Sequence, residues 1–88
     1  MILKILINDM ERKEISEKVG QILITILGHS DFEMQENLTA DSVDGWDSLN
    51  HMIIVTEIEK EFKINFKLRE LNKLNNISSL IDLIESKL

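Results

Sequence analysis

The chain has 88 residues, no cysteine and no proline, with 16 acidic against 10 basic side chains and a net charge of -6. This length holds one domain with a single small core, since chains of this size bury only roughly 60 to 65 per cent of their unfolded surface. A deep enzyme pocket, typically ~300 Å³ or more, would hollow out that core. Without cysteine, a disulfide framework, a thiolate metal site and a thiol nucleophile are all excluded.

The acidity is regional. Residues 31–61 hold nine acids and the single base Lys60, a surface that repels nucleic acid and anionic lipid and attracts Arg or Lys patches. As a plain alternative, these charges serve only as a solvated face. The apolar run Met1 to Ile7 carries Lys4, is followed by Asp9 and Glu11, and lacks a small-residue cleavage site. It makes a poor signal peptide, and no apolar run approaches the ~18 residues of a membrane span. A cytoplasmic setting without membrane contact is expected. Residues 1–9 form an apolar extension ahead of a domain at 10–88; they extend the first helix, contact a partner, or precede a start at Met10.

Apolar residues recur mainly at helical spacing, which predicts an all-α domain. The first helix is expected from Met10 to Leu27, with Ile15, Val19, Ile22, Leu23, Ile26 and Leu27 on one face. Asp9 suits its start and Gly28 its end. Gly20 inside it signals either tight packing or mere tolerance. A long polar connection follows from His29 to Asp47, beyond the roughly 12 to 15 residues usual for a structureless loop. Its spaced apolar residues Phe32, Leu38 and Val43 predict that it is pinned across the helix ends.

The second helix is expected from Asp47 or Ser48 to Phe62. Ile54, Ile58 and Phe62 form its core stripe, while Leu49, Met52, Ile53 and Thr56 share another face, suited either to a partner or to completing the core. A short helix over Leu68–Leu71 follows Ile64 and Phe66, and Asn75-Asn76 breaks it. The last helix is expected from a Ser78 cap, with Leu80, Ile81, Ile84 and Leu88 as its stripe. Three main helices and one short one result.

Two serines near the end of the long loop are candidates for chemistry. Ser42 is followed by turn residues, whereas Ser48 opens a helix, where free backbone N–H groups support a bonded phosphate. Asp47 is read as the cap of that helix, with an outward role toward a cationic enzyme also open. Asp41, Asp44 and Asp47 lack the glycine and terminal glutamate of an EF-hand, so no metal is assigned. Ser48, His51 and Asp47 suggest a nucleophile, base and orienter, but one exposed helix provides neither an oxyanion hole nor a substrate pocket. No catalytic residue is assigned, and His29 and His51 are read as solvent-exposed. Trp46 is either a partner anchor or a lid folded onto the loop.

In Asp47-Ser48-Leu49, in Ile54, Glu57, Ile58, Glu59, Glu61 and Phe62, and in Ile77-Ser78-Ser79-Leu80, the chain resembles acyl carrier proteins over Met10 to Leu88. The resemblance implies a four-helix carrier without catalysis of its own. A phosphopantetheinyl transferase would use coenzyme A and Mg²⁺ to attach 4'-phosphopantetheine to Ser48 as a phosphodiester. The terminal thiol of that arm would carry an acyl thioester loaded by a ligase or a synthase. Leu49, Met52, Ile53 and Thr56, with Asp47 and Trp46, would meet partners, and Ile77 would sit beside the arm. Ile53 and Lys60 stand where fatty-acid carriers often show acids, and Gly45 to His51 resemble freestanding carriers of specialised polyketide, three-carbon-unit or polysaccharide-modifying pathways. Paired glycines before the serine, typical of peptidyl carriers, are absent, which makes an aminoacyl cargo the alternative. A cofactor-free helical adaptor is the rival from another class, and a monomer is expected for so charged a domain.

Overall fold

The computed structural model describes residues 11–88, so the expected extension at 1–9, Met10 and the proposed Asp9 cap lie outside the described residues. Among the described residues there are four α-helices: α1 (Arg12–Leu27), α2 (Ser48–Phe62), the single-turn α3 (Leu68–Leu71) and α4 (Ile77–Lys87). A 3-10 turn at Ala40–Ser42 interrupts the long loop. The all-helical expectation therefore holds, with three long helices and one short one. None of the described helices is long and apolar enough to cross a membrane.

Helical periodicity places the core. Ile15, Val19 and Leu23 of α1 meet Ile54, Ile58 and Phe62 of α2 and Ile77, Leu80, Ile81 and Ile84 of α4, all buried. Helix α1 ends at Gly28, whose φ of 77° is left-handed and whose amide donates to Ile24 O at 2.9 Å. Such a conformation is inexpensive only without a Cβ. Helix α2 ends on Lys63 in the same left-handed region, and the Ile64 amide reaches Glu59 O at 3.1 Å. This six-to-one closure turns the chain inward and buries Ile64.

The long loop is pinned, as its apolar spacing predicts. Phe32, Met34 and Leu38 pack against the core, and Val43 is buried. Gly20 owes its place to this loop. A Cβ there would stand 3.0 Å from Met34 Cγ, so tight packing, rather than tolerance, explains the glycine. The decisive attachment is to α4. Its Ile77 amide donates to Leu38 O at 2.9 Å and its Ser78 amide to Glu36 O at 2.8 Å, so loop carbonyls satisfy amides that no intrahelical bond can use.

Arg12 reinforces that junction from the start of α1. Its guanidinium forks onto Glu36 at 2.8 and 2.9 Å and reaches Asp82 and Glu85 at 2.7 Å each. The hydrogen bond from Arg12 holds the Glu36 carboxyl below its ordinary pKa. At the far end, Lys87 pairs with Glu70 at 3.0 Å and ties α3 to the last turn of α4.

Two expectations for the last helix are corrected. It begins at Ile77 with Asn76 as its cap, the Asn76 side chain accepting from the Ser79 amide at 2.9 Å, so Ser78 is inside the helix. Asparagine in extended conformation leaves its side chain free to turn onto the helix, and this local chemistry prevails over the Ser78 signal. Leu88 follows the helix and is exposed.

The burial pattern separates core from contact residues on α2. Ile58→Ala should destabilise the domain by about 2–5 kcal/mol, whereas Leu49→Ala should change stability by less than about 0.5 kcal/mol. Chemical denaturation of both variants against wild type measures the difference.

Candidate functional site

The polypeptide leading to Ser48 is fixed bond by bond. The Val43 amide donates to Ala40 O at 3.1 Å and the Trp46 amide to Val43 O at 3.2 Å, which winds the chain over the buried Val43 side chain. Gly45 then takes a φ of 84°, and an added Cβ there would lie in van der Waals contact with Leu27 Cδ2 at 3.7 Å. Backbone conformation rather than space makes glycine the suitable residue. The Gly45 carbonyl accepts from the Asp47 amide at 3.0 Å and from Asn50 Nδ2 at 2.7 Å.

Asp47 is the cap of α2, as its position suggests. It is extended, with φ -97° and ψ -175°, and its Oδ1 accepts from the Asn50 amide at 2.8 Å while its carbonyl accepts from the His51 amide at 2.8 Å. That leaves the amides of Ser48 and Leu49, the first two of the helix, without a partner among the described residues. Ser48 is exposed, and its Oγ likewise has no hydrogen-bond partner among them. An oxyanion bonded to that hydroxyl meets two free donors and the positive end of a fifteen-residue helix. Ser42 offers nothing comparable: its Oγ donates to Thr39 O at 2.8 Å within the 3-10 turn.

The two histidines are corrected from solvent-exposed to half-buried and bonded. His29 Nδ1 accepts from the Asp31 amide at 3.0 Å, so Nε2 carries the proton donated to Asp44 O at 2.6 Å. This bond staples the loop ahead of Ser48 to the end of α1. His51 Nδ1 accepts from Trp46 Nε1 at 3.1 Å, and the two rings stack at 27° with centroids 6.1 Å apart. The indole thus folds inward as the lid reading has it, half-buried against the core. His51 and Ser48 form no hydrogen bond, and the Nδ1 lone pair is already occupied. The nucleophile-and-base arrangement is therefore not assembled.

Leu49, Met52 and Ile53 are 71, 52 and 42 per cent exposed, in line with an outward face on α2. Thr56 is also exposed, with its hydroxyl turned back to Met52 O at 2.9 Å. Ile77 departs from expectation. It is 0 per cent exposed, sealed in the core as the first residue of α4, and it is removed from the set of contact residues. Beside this face, α1 and α2 leave an open groove of about 600 Å³ floored by Ile22, Ile26 and Ile53 and edged by Lys18, Glu57 and Glu61.

The family model for the phosphopantetheine attachment site matches residues 17–84. The chain belongs to this family. It is also similar to the solution NMR structure of a holo acyl carrier protein from Geobacter metallireducens, with 32 per cent identity over 82 per cent of this chain and 83 per cent of that one and a TM-score of 0.76. The protein is thus a carrier of the acyl-carrier type, not an enzyme, and its prosthetic group is covalent 4'-phosphopantetheine. The donor set at the start of α2 fits such a group, since its phosphodiester is an anion and its attachment needs a free hydroxyl.

Sequence reasoning missed three contributors to this site. Asn50, three residues after Asp47, carried a readable signal in its spacing. The Trp46–His51 bond and the His29 staple carried none, because each depends on the loop's path.

Burial lowers the pKa of His51 below its ordinary value by penalising the charged imidazole. The unfolded chain therefore takes up this proton more readily than the folded one. The stability contributed by neutral His51 is fully present above its unfolded pKa of about 6.5 and is lost as pH falls through the lower folded value. An NMR titration should show the His51 ring protons shifting at lower pH in the folded protein than in a denatured reference. Coincident transitions would contradict this.

Proposed function

We propose that this carrier bears its 4'-phosphopantetheine on Ser48 and passes thioester-linked acyl intermediates among the enzymes of a specialised pathway, of the polyketide, fatty-acid-like or polysaccharide-modifying kind. The observation that carries the assignment is the Ser48 hydroxyl itself: exposed, unpartnered, and on the first turn of α2 beside two free amides. The attached group supplies a flexible arm ending in a thiol that holds the acyl cargo. The chain presents the hydroxyl, supports the phosphodiester electrostatically and offers a docking face. Tethering then keeps one intermediate at high effective concentration for several active sites.

Partners in this reading are a phosphopantetheinyl transferase and an acyl-loading ligase or synthase, which meet Leu49, Met52, Ile53 and Thr56 of α2 and the adjoining Trp46 and Asp47. The pathway assignment is supported by the composition of that face. Its centre is apolar, Ile53 and Lys60 stand where acids are frequent in fatty-acid carriers, and the acids Glu57 and Glu61 lie along its edge. Docking through such a face depends more on apolar contact, with charge steering the approach. Lys60 is in addition drawn toward Glu57 at 3.5 Å, one turn away, which reduces its reach as a free cation.

Incubation with coenzyme A, Mg²⁺ and a broad-specificity transferase should add one phosphopantetheine mass to the wild-type protein. The same treatment should leave Ser48→Ala unchanged in intact-mass measurement. No addition to wild type, or undiminished addition to Ser48→Ala, would contradict the assignment.

A further inference from the structure

Ser48 lies between two residues that bond to each other. Trp46, two positions before it, donates its indole N–H to Nδ1 of His51, three positions after it, at 3.1 Å, and the rings stack. The bond crosses the serine and joins the last residues of the loop to the first turn of α2. Beneath it lies a space of only about 50 Å³. The loop lines that space with Ala40 and Trp46, the segment before α4 with Leu74, Asn75 and Asn76, and α4 with Leu80. None of these side chains is ionisable. On α2 itself the ionisable neighbour one turn back is Asp47, whose carboxylate is bound to the Asn50 amide.

We propose that Trp46 and His51 are positioning residues for modification of Ser48, their hydrogen bond closing the loop onto α2 and holding the hydroxyl in the geometry the transferase meets. This rests on Ser48 as the attachment residue. The Asp47 cap and the Gly45 turn fix the backbone on one side of the serine; the ring pair fixes the other, across the gap that backbone bonds leave open. Ordering this turn in advance spares the transferase the entropy of ordering it on docking. The latch works only with a neutral imidazole. Protonation at Nδ1 removes the lone pair that receives the indole N–H, and no anionic side chain lines the space to offset the new charge. Acid therefore opens the latch.

The test is the rate of phosphopantetheine transfer to full-length wild type, Trp46→Phe, His51→Leu and His51→Asn, each first matched to wild type in helical circular dichroism. Trp46→Phe keeps the ring and loses the donor; His51→Asn keeps an acceptor near the Nδ1 position and cannot titrate. Trp46→Phe and His51→Leu should lower kcat/KM by about 2- to 10-fold, the scale of one ordinary hydrogen bond, and His51→Asn should recover most of it. The ratio of wild-type to His51→Asn rates, in which the transferase's own pH dependence cancels, should fall as His51 protonates. If His51→Leu fails to fold, Trp46→Phe and the pH ratio still decide. Equal rates for wild type and Trp46→Phe, or a ratio that stays flat through the His51 transition, would overturn the inference while leaving Ser48 modified. A wild-type protein that accepts no phosphopantetheine would instead overturn the attachment reading.

Discussion

The start of α4 governs how this domain is arranged. Ile77 is sealed in the core at the first position of that helix, so its backbone amide cannot turn to water and has no intrahelical acceptor. The carbonyls of Leu38 and Glu36 meet the Ile77 and Ser78 amides, and the long loop is thereby obliged to cross the end of the bundle at one place. From that crossing the chain has only a few residues in which to bury Val43, reverse at Gly45 and enter α2. The position of Ser48 is the consequence. An exposed hydroxyl on a helix start is common; one whose approach is fixed by a buried amide on another helix is a placed one.

Charge strengthens the same junction and leaves the contact face free. Arg12 draws Glu36, Asp82 and Glu85 to one guanidinium, and its bonds to Glu36 and Asp82 raise its pKa further above the physiological range. Three acids of a strongly acidic chain are thus engaged away from Ser48. On α2 the outward residues nearest the serine are Leu49, Met52 and Ile53, with acids farther along. A charged structural seam joining α1, the loop and α4 is thus separate from the apolar face that continues the first turn of α2.

Much of this was legible in the chain. Periodicity identified α1 and α2 because each buries a stripe at helical spacing, and Asp47 announced the α2 cap because capping is a local bond over three residues. Ser48 could be separated from Ser42 because only one of them is followed by a helix. The cap of α4 lies at Asn76, two residues before Ser78: both suit a cap, and the Asn76 side chain is the one that takes a helix amide. Ile77 leaves the contact set because its side chain is buried. Arg12 could not be foreseen as a hub, because its partners lie 24 to 73 positions away and its sequence context is that of any exposed helix start. The inward fold of Trp46 is one of two readings the chain leaves open, and only its bond to His51 was hidden, because that bond follows from the path of the loop and not from a pattern of side chains.

Of the two nearby serines, Ser48 is free at a helix start and is the proposed attachment residue, whereas the Ser42 hydroxyl is spent on Thr39 O. Tandem mass spectrometry of the transferase-treated protein, with fragmentation between residues 42 and 48, addresses this most directly. The phosphopantetheine is expected on fragments that contain Ser48 and lack Ser42. Modification localised to Ser42 would contradict it.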